Sequence, residues 1–211
     1  MPNEKGLILE GGCGIGQMVH AFKCQGYNAV GIDFAGETIK RVKAAVPDLD
    51  VRLGDIRNLP FRDGEIAGYW SFGVIEHFWE GYEKIIDEMK RVIRNGGYLF
   101  ITFPYMSPLR KCKVSLGLYN RDVDNCETDK FYQFALDYNK VIFDLKAIGF
   151  TFVEKVPFDG VKGFKDEVKV SKPLLQKIYD GKILQRYRAT IDKLLKPFAS
   201  HMMLLVMQRS C

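Results

Sequence analysis

Along the first hundred residues, short apolar runs alternate with stretches in which apolar residues recur every three to four positions. That is the pattern of a parallel α/β sheet. Leu7-Ile8-Leu9 reads as a first strand, ended by the glycines between Gly11 and Gly16. Residues 17–25 follow as a helix, with Met18, Ala21 and Phe22 on one face and Gly26 as its stop. A second strand is expected at 28–33, a second helix at 37–46 ended by Pro47, and a short third strand at 51–53. The fourth strand, 66–72, is entered through the turn residues Asp63-Gly64. A long helix at 81–94 turns Ile85, Met89, Val92 and Ile93 inward and closes at Asn95-Gly96-Gly97, and a fifth strand at 98–103 ends at Pro104.

Beyond Pro104 the rhythm loosens. Residues 105–130 show no clear period and read as an irregular insertion. A helix is expected at 139–148, a sixth strand at 150–156 and a last one at 201–208. Between those strands Leu175, Ile178, Leu184, Tyr187, Ile191, Leu194 and Phe198 recur at helical spacing. With no internal repeat and no low-complexity linker, residues 1–211 read as one domain. Its first half is 1–104 and its second 105–211, with insertions at 105–138 and 160–200.

Composition narrows the class. A hydrophobic share of 47% with 27% charged residues is an ordinary globular mixture and excludes disordered or collagen-like chains. The longest uninterrupted apolar run, 202–207, is far short of the ~20 residues of a membrane span. Cys13, Cys24, Cys112, Cys126 and Cys211 are odd in number and widely spaced, which fits neither a disulfide framework nor a zinc ribbon. A reducing, cytoplasmic compartment is the economical expectation. The net charge of +5 is too small to claim nucleic acid by itself.

Candidate chemistry begins at the glycine loop. A P-loop needs G-x-x-x-x-G-K-[ST], but Gln17 follows Gly16 and no lysine stands where phosphates require one. In the dinucleotide fingerprint G-x-G-x-x-G the third glycine would fall at Gln17 or Val19, so both registers fail and an NAD enzyme is disfavoured. What stands here is Glu10-Gly11-Gly12-Cys13-Gly14-Ile15-Gly16, directly after a strand. Glycines allow close backbone approach and positive φ. A carboxylate at the strand end suits a cationic amino-acid moiety better than a pyrophosphate.

This stretch resembles motif I of the class I S-adenosylmethionine (SAM)-dependent methyltransferases, in which L-D-x-G-C-G-x-G is common. Asp33 ends the second strand where that family places an acid for the two ribose hydroxyls, a task suited to a pure acceptor. Gly54-Asp55-Ile56 stands where the family has the acid for the adenine amino group and the backbone N–H for the ring. The stretch from Ser71 to Phe78 resembles the motif after strand four in the small-molecule branch, and the stretch from Lys90 to Ile101 resembles the entry to strand five. The resemblance implies a Rossmann-like, doubly wound, seven-stranded and mostly parallel α/β sheet with its last strand antiparallel and helical insertions after strands five and six. It places SAM on Glu10, Gly12, Cys13, Gly14, Gly16, Gln17, Asp33, Phe34, Asp55, Ile56, Ser71 and Phe72. Small size suffices to explain Cys13, which is not read as a nucleophile.

The implied activity is methyl transfer to an O or N atom of a small molecule. The candidates for proton handling are Glu76 and His77, because they follow strand four, where the family's acceptor approaches. The quinone-precursor branch holds a metal with E-x-x-E-H, but here the first position is Gly73, so no metal is expected. The Asn/Asp-Pro-Pro-aromatic tetrad of exocyclic-amine enzymes and the Pro-Cys of cytosine C5 enzymes are missing, which argues against DNA. Residues 161–200 carry ten Lys/Arg against four acids, a local excess of +6. Such a helical insertion suits a solvated face, a lid over an anionic or lipid-like acceptor, or a peripheral membrane contact. Two other readings stay open: a catalytically silent SAM-fold binding subunit, and an RNA methyltransferase using the basic insertion. Family members carry a helix or more ahead of the first strand, where about six residues stand here. Either a segment is missing or the two insertions supply the lid.

Overall fold

The computed structural model describes residues 6–119, 131–173, 175–176 and 185–211. Five strands run parallel: β1 (Leu7–Gly11), β2 (Ala29–Asp33), β3 (Val51–Leu53), β4 (Ile66–Phe72) and β5 (Ile93–Pro104). Two more, β6 (Phe150–Phe158) and β7 (Met202–Arg209), complete one sheet in the order β3-β2-β1-β4-β5-β7-β6, with β7 antiparallel to both neighbours. This is the doubly wound, mostly parallel architecture expected. The chain moves outward from β1 to β3 and then crosses to β4, so strand order reverses between β1 and β4. Ligands of open α/β sheets bind at such a reversal, outside the carboxyl ends of the strands.

All five residues of β2 are buried, as a central strand covered on both faces requires. One core unites Leu9, Tyr69, Leu99, Ile101 and Leu205 of the sheet with Ile85 and Met89 of α3 (Glu83–Val92). The other face packs Ile8, Val19 and Val51 against α1 (Gln17–Cys24) and α2 (Gly36–Ala45). Further along that face, Trp70 stacks on Phe100 with ring centroids 3.9 Å apart and 4° between planes, and Phe22 of α1 lies 5.1 Å from Trp70.

The structure departs from the periodicity in several places. The helix expected to continue to Arg94 ends at Val92, because the fully buried Ile93 turns extended and pairs with Ile66. The insertion read as irregular contains α4 (Pro108–Ser115). Its cap is legible in hindsight: Ser107 accepts from the Arg110 N–H, and Pro108 occupies the first turn. After β5 come α5 (Tyr138–Ala147) and, following β6, α6 (Gly160–Glu167) and α7 (Gln185–Ala199). A Cβ on Gly163 would lie 1.8 Å from the Ala199 carbonyl oxygen, so only glycine permits this approach of α6 to the end of α7. The apolar spacing of the second insertion is only partly a core face. Leu175 is buried, whereas Leu194 is 74% exposed. Ile178, Leu184, Lys177, Lys182, Asp180 and Cys126 lie outside the described residues. Among the described residues no helix is long and apolar enough to cross a membrane.

Candidate cofactor and acceptor site

The first half of the glycine loop is fastened to the end of β2. Gly12 and Cys13 donate backbone N–H bonds to the Ile32 carbonyl at 2.8 and 3.1 Å, and Gly14 N–H donates to Asp33 Oδ2 at 2.7 Å. Gly12 has φ +79°, and a Cβ there would meet Val74 Cγ2 at 2.5 Å, so this position demands glycine twice over. At Gly14, with φ +50°, a Cβ would meet nothing within 4 Å, leaving the backbone open to a ligand.

A cavity of about 550 Å³ opens beside this loop at the strand ends, walled by Gly12, Asp33, Phe34, Gly54, Asp55, Ile56, Arg57, Gly73, Val74, His77 and Phe78. Six of the residues expected from the sequence therefore meet here: Gly12, Asp33, Phe34, Asp55, Ile56 and His77. Asp33 accepts from the N–H groups of Gly14 and Ala35, one on each carboxylate oxygen, and retains lone pairs for two further donors. Phe34 is 81% exposed at the rim, an apolar side chain with space for a flat ligand beside it. The donor set fits SAM: acceptors for ribose hydroxyls and an amino group, an apolar rim, and glycine backbone open to close approach.

Glu10, Cys13, Gly14, Gly16, Gln17, Ser71, Phe72 and Glu76 are not part of this wall. Glu10 lies beneath the loop, where its carboxylate accepts from the Val19 N–H at 3.2 Å and so serves an unpaired donor in the first turn of α1. Burial pushes its carboxyl up to about 7, with the Val19 bond opposing and the Asp33 charge adding. Cys13 is buried, and its thiol is pushed up to about 12 by burial and by the Glu10 and Asp33 charges, which makes it an inert packing group. Ser71 is fully buried, and Phe72 lies against Trp70 at 5.4 Å between centroids.

At the tip of β4 the pair Glu76-His77 forms a single helical turn, Ile75–His77. His77 Nδ1 lies 2.6 Å from the Tyr132 carbonyl oxygen. A carbonyl only accepts, so Nδ1 carries a proton and the lone pair of the imidazole falls to Nε2. Glu76 is buried, one of its oxygens has no partner among the described residues, and burial pushes its carboxyl up to about 7. The Phe134 N–H donates to the Glu76 carbonyl oxygen at 2.9 Å, so residues 131–136 cross the tip of β4.

Sequence reasoning missed a second arrangement, at the tip of β5. Arg110 of α4 is buried, donates Nε to Glu167 Oε1 at 2.8 Å, and binds the carbonyls of Tyr105 and His201 at 2.7 and 3.2 Å. Lys113 donates to Glu167 Oε2 at 2.7 Å, and the Tyr119 hydroxyl also donates to that carboxylate. Pro104, Met106, Phe134, Arg110 and Glu167 help to line a cavity of about 350 Å³ at the tip of β5. The only local signal was the Ser107-Pro108 cap that starts α4. Among the described residues no group of three or more His, Cys, Asp or Glu is arranged to hold a metal ion.

The sheet order and the loop-to-β4 crevice define the class I SAM-dependent methyltransferase fold. Residues 9–101 match the family model described as a methyltransferase domain. Over 97 residues the chain is 32% identical to a probable S-adenosylmethionine-dependent methyltransferase of Mycolicibacterium smegmatis, covering 46% of this chain and 37% of that one. Over 104 residues it is 30% identical to phthiotriol/phenolphthiotriol dimycocerosates methyltransferase 1 of Mycobacterium ulcerans, covering 45% of this chain and 36% of the relative. The chain thus spans little more than a third of the length of these curated relatives. A SAM-dependent methyltransferase structure from Methanosarcina mazei superposes with a TM-score of 0.68 at 15% identity, covering 99% of this chain and 94% of the other.

Proposed function

We propose that this protein transfers the methyl group of SAM to an O or N atom of a small-molecule acceptor that reaches the cofactor cavity from the tips of β4 and β5. The observation that carries this reading is the placement of His77. It stands in the wall of the cofactor cavity with Nδ1 committed to Tyr132, which leaves Nε2 as a proton acceptor. Asp33 would hold the ribose hydroxyls, Asp55 the adenine amino group, and the glycine loop the amino-acid end. When bound, SAM supplies an already activated methyl group. The protein's work is then to orient the acceptor, an effect worth ~7–11 kcal/mol in favourable cases, and to take its proton where it has one. His77 takes the proton, and Tyr132 holds the ring in place.

An anionic or lipid-like acceptor is supported by the +6 excess of residues 161–200 and by the lipid named in the relative from M. ulcerans. A reducing compartment such as the cytoplasm is supported by the free thiols of Cys24, Cys112 and Cys211, all exposed. The deciding experiment is calorimetry with SAM, S-adenosylhomocysteine and NAD, followed by a panel of hydroxylated, amine and lipid acceptors with wild type and His77→Ala. Binding of S-adenosylhomocysteine without turnover on any acceptor would favour a silent subunit. Salt-dependent RNA binding with turnover would replace the small-molecule reading.

A further inference from the structure

We propose that Arg57 gates the base end of the cofactor cavity by occupying the Asp55 carboxylate that an adenine amino group needs. This rests on the assignment of Asp55 as the acceptor for that amino group.

Arg57 and Asp55 both stand in the wall of the cavity. The Arg57 backbone N–H donates to Asp55 Oδ1 at 2.8 Å, and Nε reaches Oδ1 and Oδ2 at 3.0 and 3.1 Å. Nη2 donates to Oδ2 at 2.7 Å. A carboxylate offers about four lone-pair positions, two on each oxygen. Three N–H groups of Arg57, with Nε shared between the two oxygens, take up most of them, so an amino group must compete with the guanidinium for Asp55. The bond to Arg57 also holds the Asp55 carboxyl below the usual carboxylate range, so the acceptor stays ionised for whichever donor wins.

Displacement is cheap. The two side chains are 49% and 45% exposed, and ion pairs between such exposed groups contribute little. A second station stands close by. The guanidinium carbon already lies 5.6 Å from the centre of the Phe78 ring, another wall of the same cavity. The charge on Arg57 is favoured first by its bond to Asp55 and additionally by the Glu80 carboxylate. A buried Arg-Asp pair would close the site, whereas an exposed one only taxes it.

The arrangement also bears on selectivity. Adenine presents a donor at its six-position and suits Asp55 once Arg57 has moved. Hypoxanthine presents a carbonyl there, an acceptor that suits Arg57 in place. Arg57 therefore narrows the preference of the site for adenine, and removing it sharpens that preference.

The test is calorimetry on the full chain with S-adenosylhomocysteine and S-inosylhomocysteine, for wild type, Arg57→Met, Asp55→Ala and the double variant. Arg57→Met is expected to tighten S-adenosylhomocysteine about two- to fivefold, to weaken S-inosylhomocysteine by a similar factor, and to have no effect on S-adenosylhomocysteine in the Asp55→Ala background. Raising salt from low to moderate concentration should tighten S-adenosylhomocysteine in wild type relative to Arg57→Met, because salt weakens the competing pair. If Asp55→Ala leaves S-adenosylhomocysteine affinity unchanged, the assignment of Asp55 fails and the gate with it. If Asp55→Ala weakens binding but Arg57→Met leaves it unchanged or weakens it too, the gate alone is overturned.

Discussion

His77 is held by Tyr132 across 55 residues of sequence: Nδ1 lies 2.6 Å from the Tyr132 carbonyl oxygen, and the two rings meet edge to face at 5.0 Å. The same segment binds the neighbouring residue, through Phe134 N–H to the Glu76 carbonyl. The tautomer of His77 is thus set by a backbone atom of the first insertion. His77→Ala is expected to lower kcat about 10²-fold or more on an acceptor that must lose a proton, while S-adenosylhomocysteine affinity stays within a factor of two. A matched loss of cofactor affinity would make His77 a wall rather than a base.

Asp33 joins the glycine loop to the cavity wall through its bonds from Gly14 and Ala35. Asp33→Ala should weaken S-adenosylhomocysteine by ~1.5–3 kcal/mol, the range of a hydrogen bond to a charged group. Calorimetry reads this directly, and unchanged affinity removes Asp33 from the site.

Glu76 should make stability depend on pH in an unusual direction. Burial pushes its carboxyl from 4.5 up to about 7, so between those values the folded chain keeps a proton that the unfolded chain has released. Stability then falls as pH rises through that window, by up to roughly 3 kcal/mol for this group above pH 7. Glu76→Gln should therefore be more stable than wild type at pH 7.5 in urea denaturation, with the advantage shrinking towards pH 4.5. A pH-independent difference would contradict it. His201 acts the other way. Burial and the Lys162 and Arg110 charges push it down to about 4, so its contribution is lost as pH falls from 6.5 to 4.

Glu167 binds α6 to α4 through Arg110 and Lys113, and to Tyr119 just beyond it. Burial alone would raise its carboxyl, but these three donors outweigh burial and take it down to about 2. The stability it supplies is complete above pH 4.5 and is lost as pH falls towards 2. Glu167→Gln leaves the buried Arg110 without its counter-charge, and breaking such a pair costs ~3–5 kcal/mol. Denaturation at neutral pH should show that loss, and a change below 1 kcal/mol would show that solvent reaches the pair.

The strands up to Pro104 were legible because each is fixed by local pattern, while Gly12, Asp33, Phe34, Asp55, Ile56 and His77 were expected from the resemblance of short motifs and lie in one cavity wall. Apolar alternation, glycine placement and an acid at a strand end are all written within a few neighbouring positions. Other features depend on partners distant in sequence. Arg110 meets Glu167 across 57 residues, and His77 meets Tyr132 across 55. Periodicity carries no signal for such pairs. The end of α3 was misjudged because Ile93 satisfies a helical spacing and a strand equally well, and pairing with Ile66 decided between them. Glu10 was expected at the ligand from the resemblance, and its bond from the Val19 N–H at the start of α1 had no signal in the motif.

The stack of Trp70 on Phe100 gives the molecule an optical reporter of its own cofactor loop. Trp70 touches Phe22 of α1, and α1 starts directly after Gly16, so a shift of the loop is transmitted to the indole through one intervening ring. The chain holds two tryptophans, and the other, Trp79, lies against Phe131 and Phe134 just beyond the tip of β4. Replacing one or the other by phenylalanine divides the emission into two channels, one reading the cofactor end and one the acceptor end. Ligands could then be sorted by the end they occupy before any product is measured.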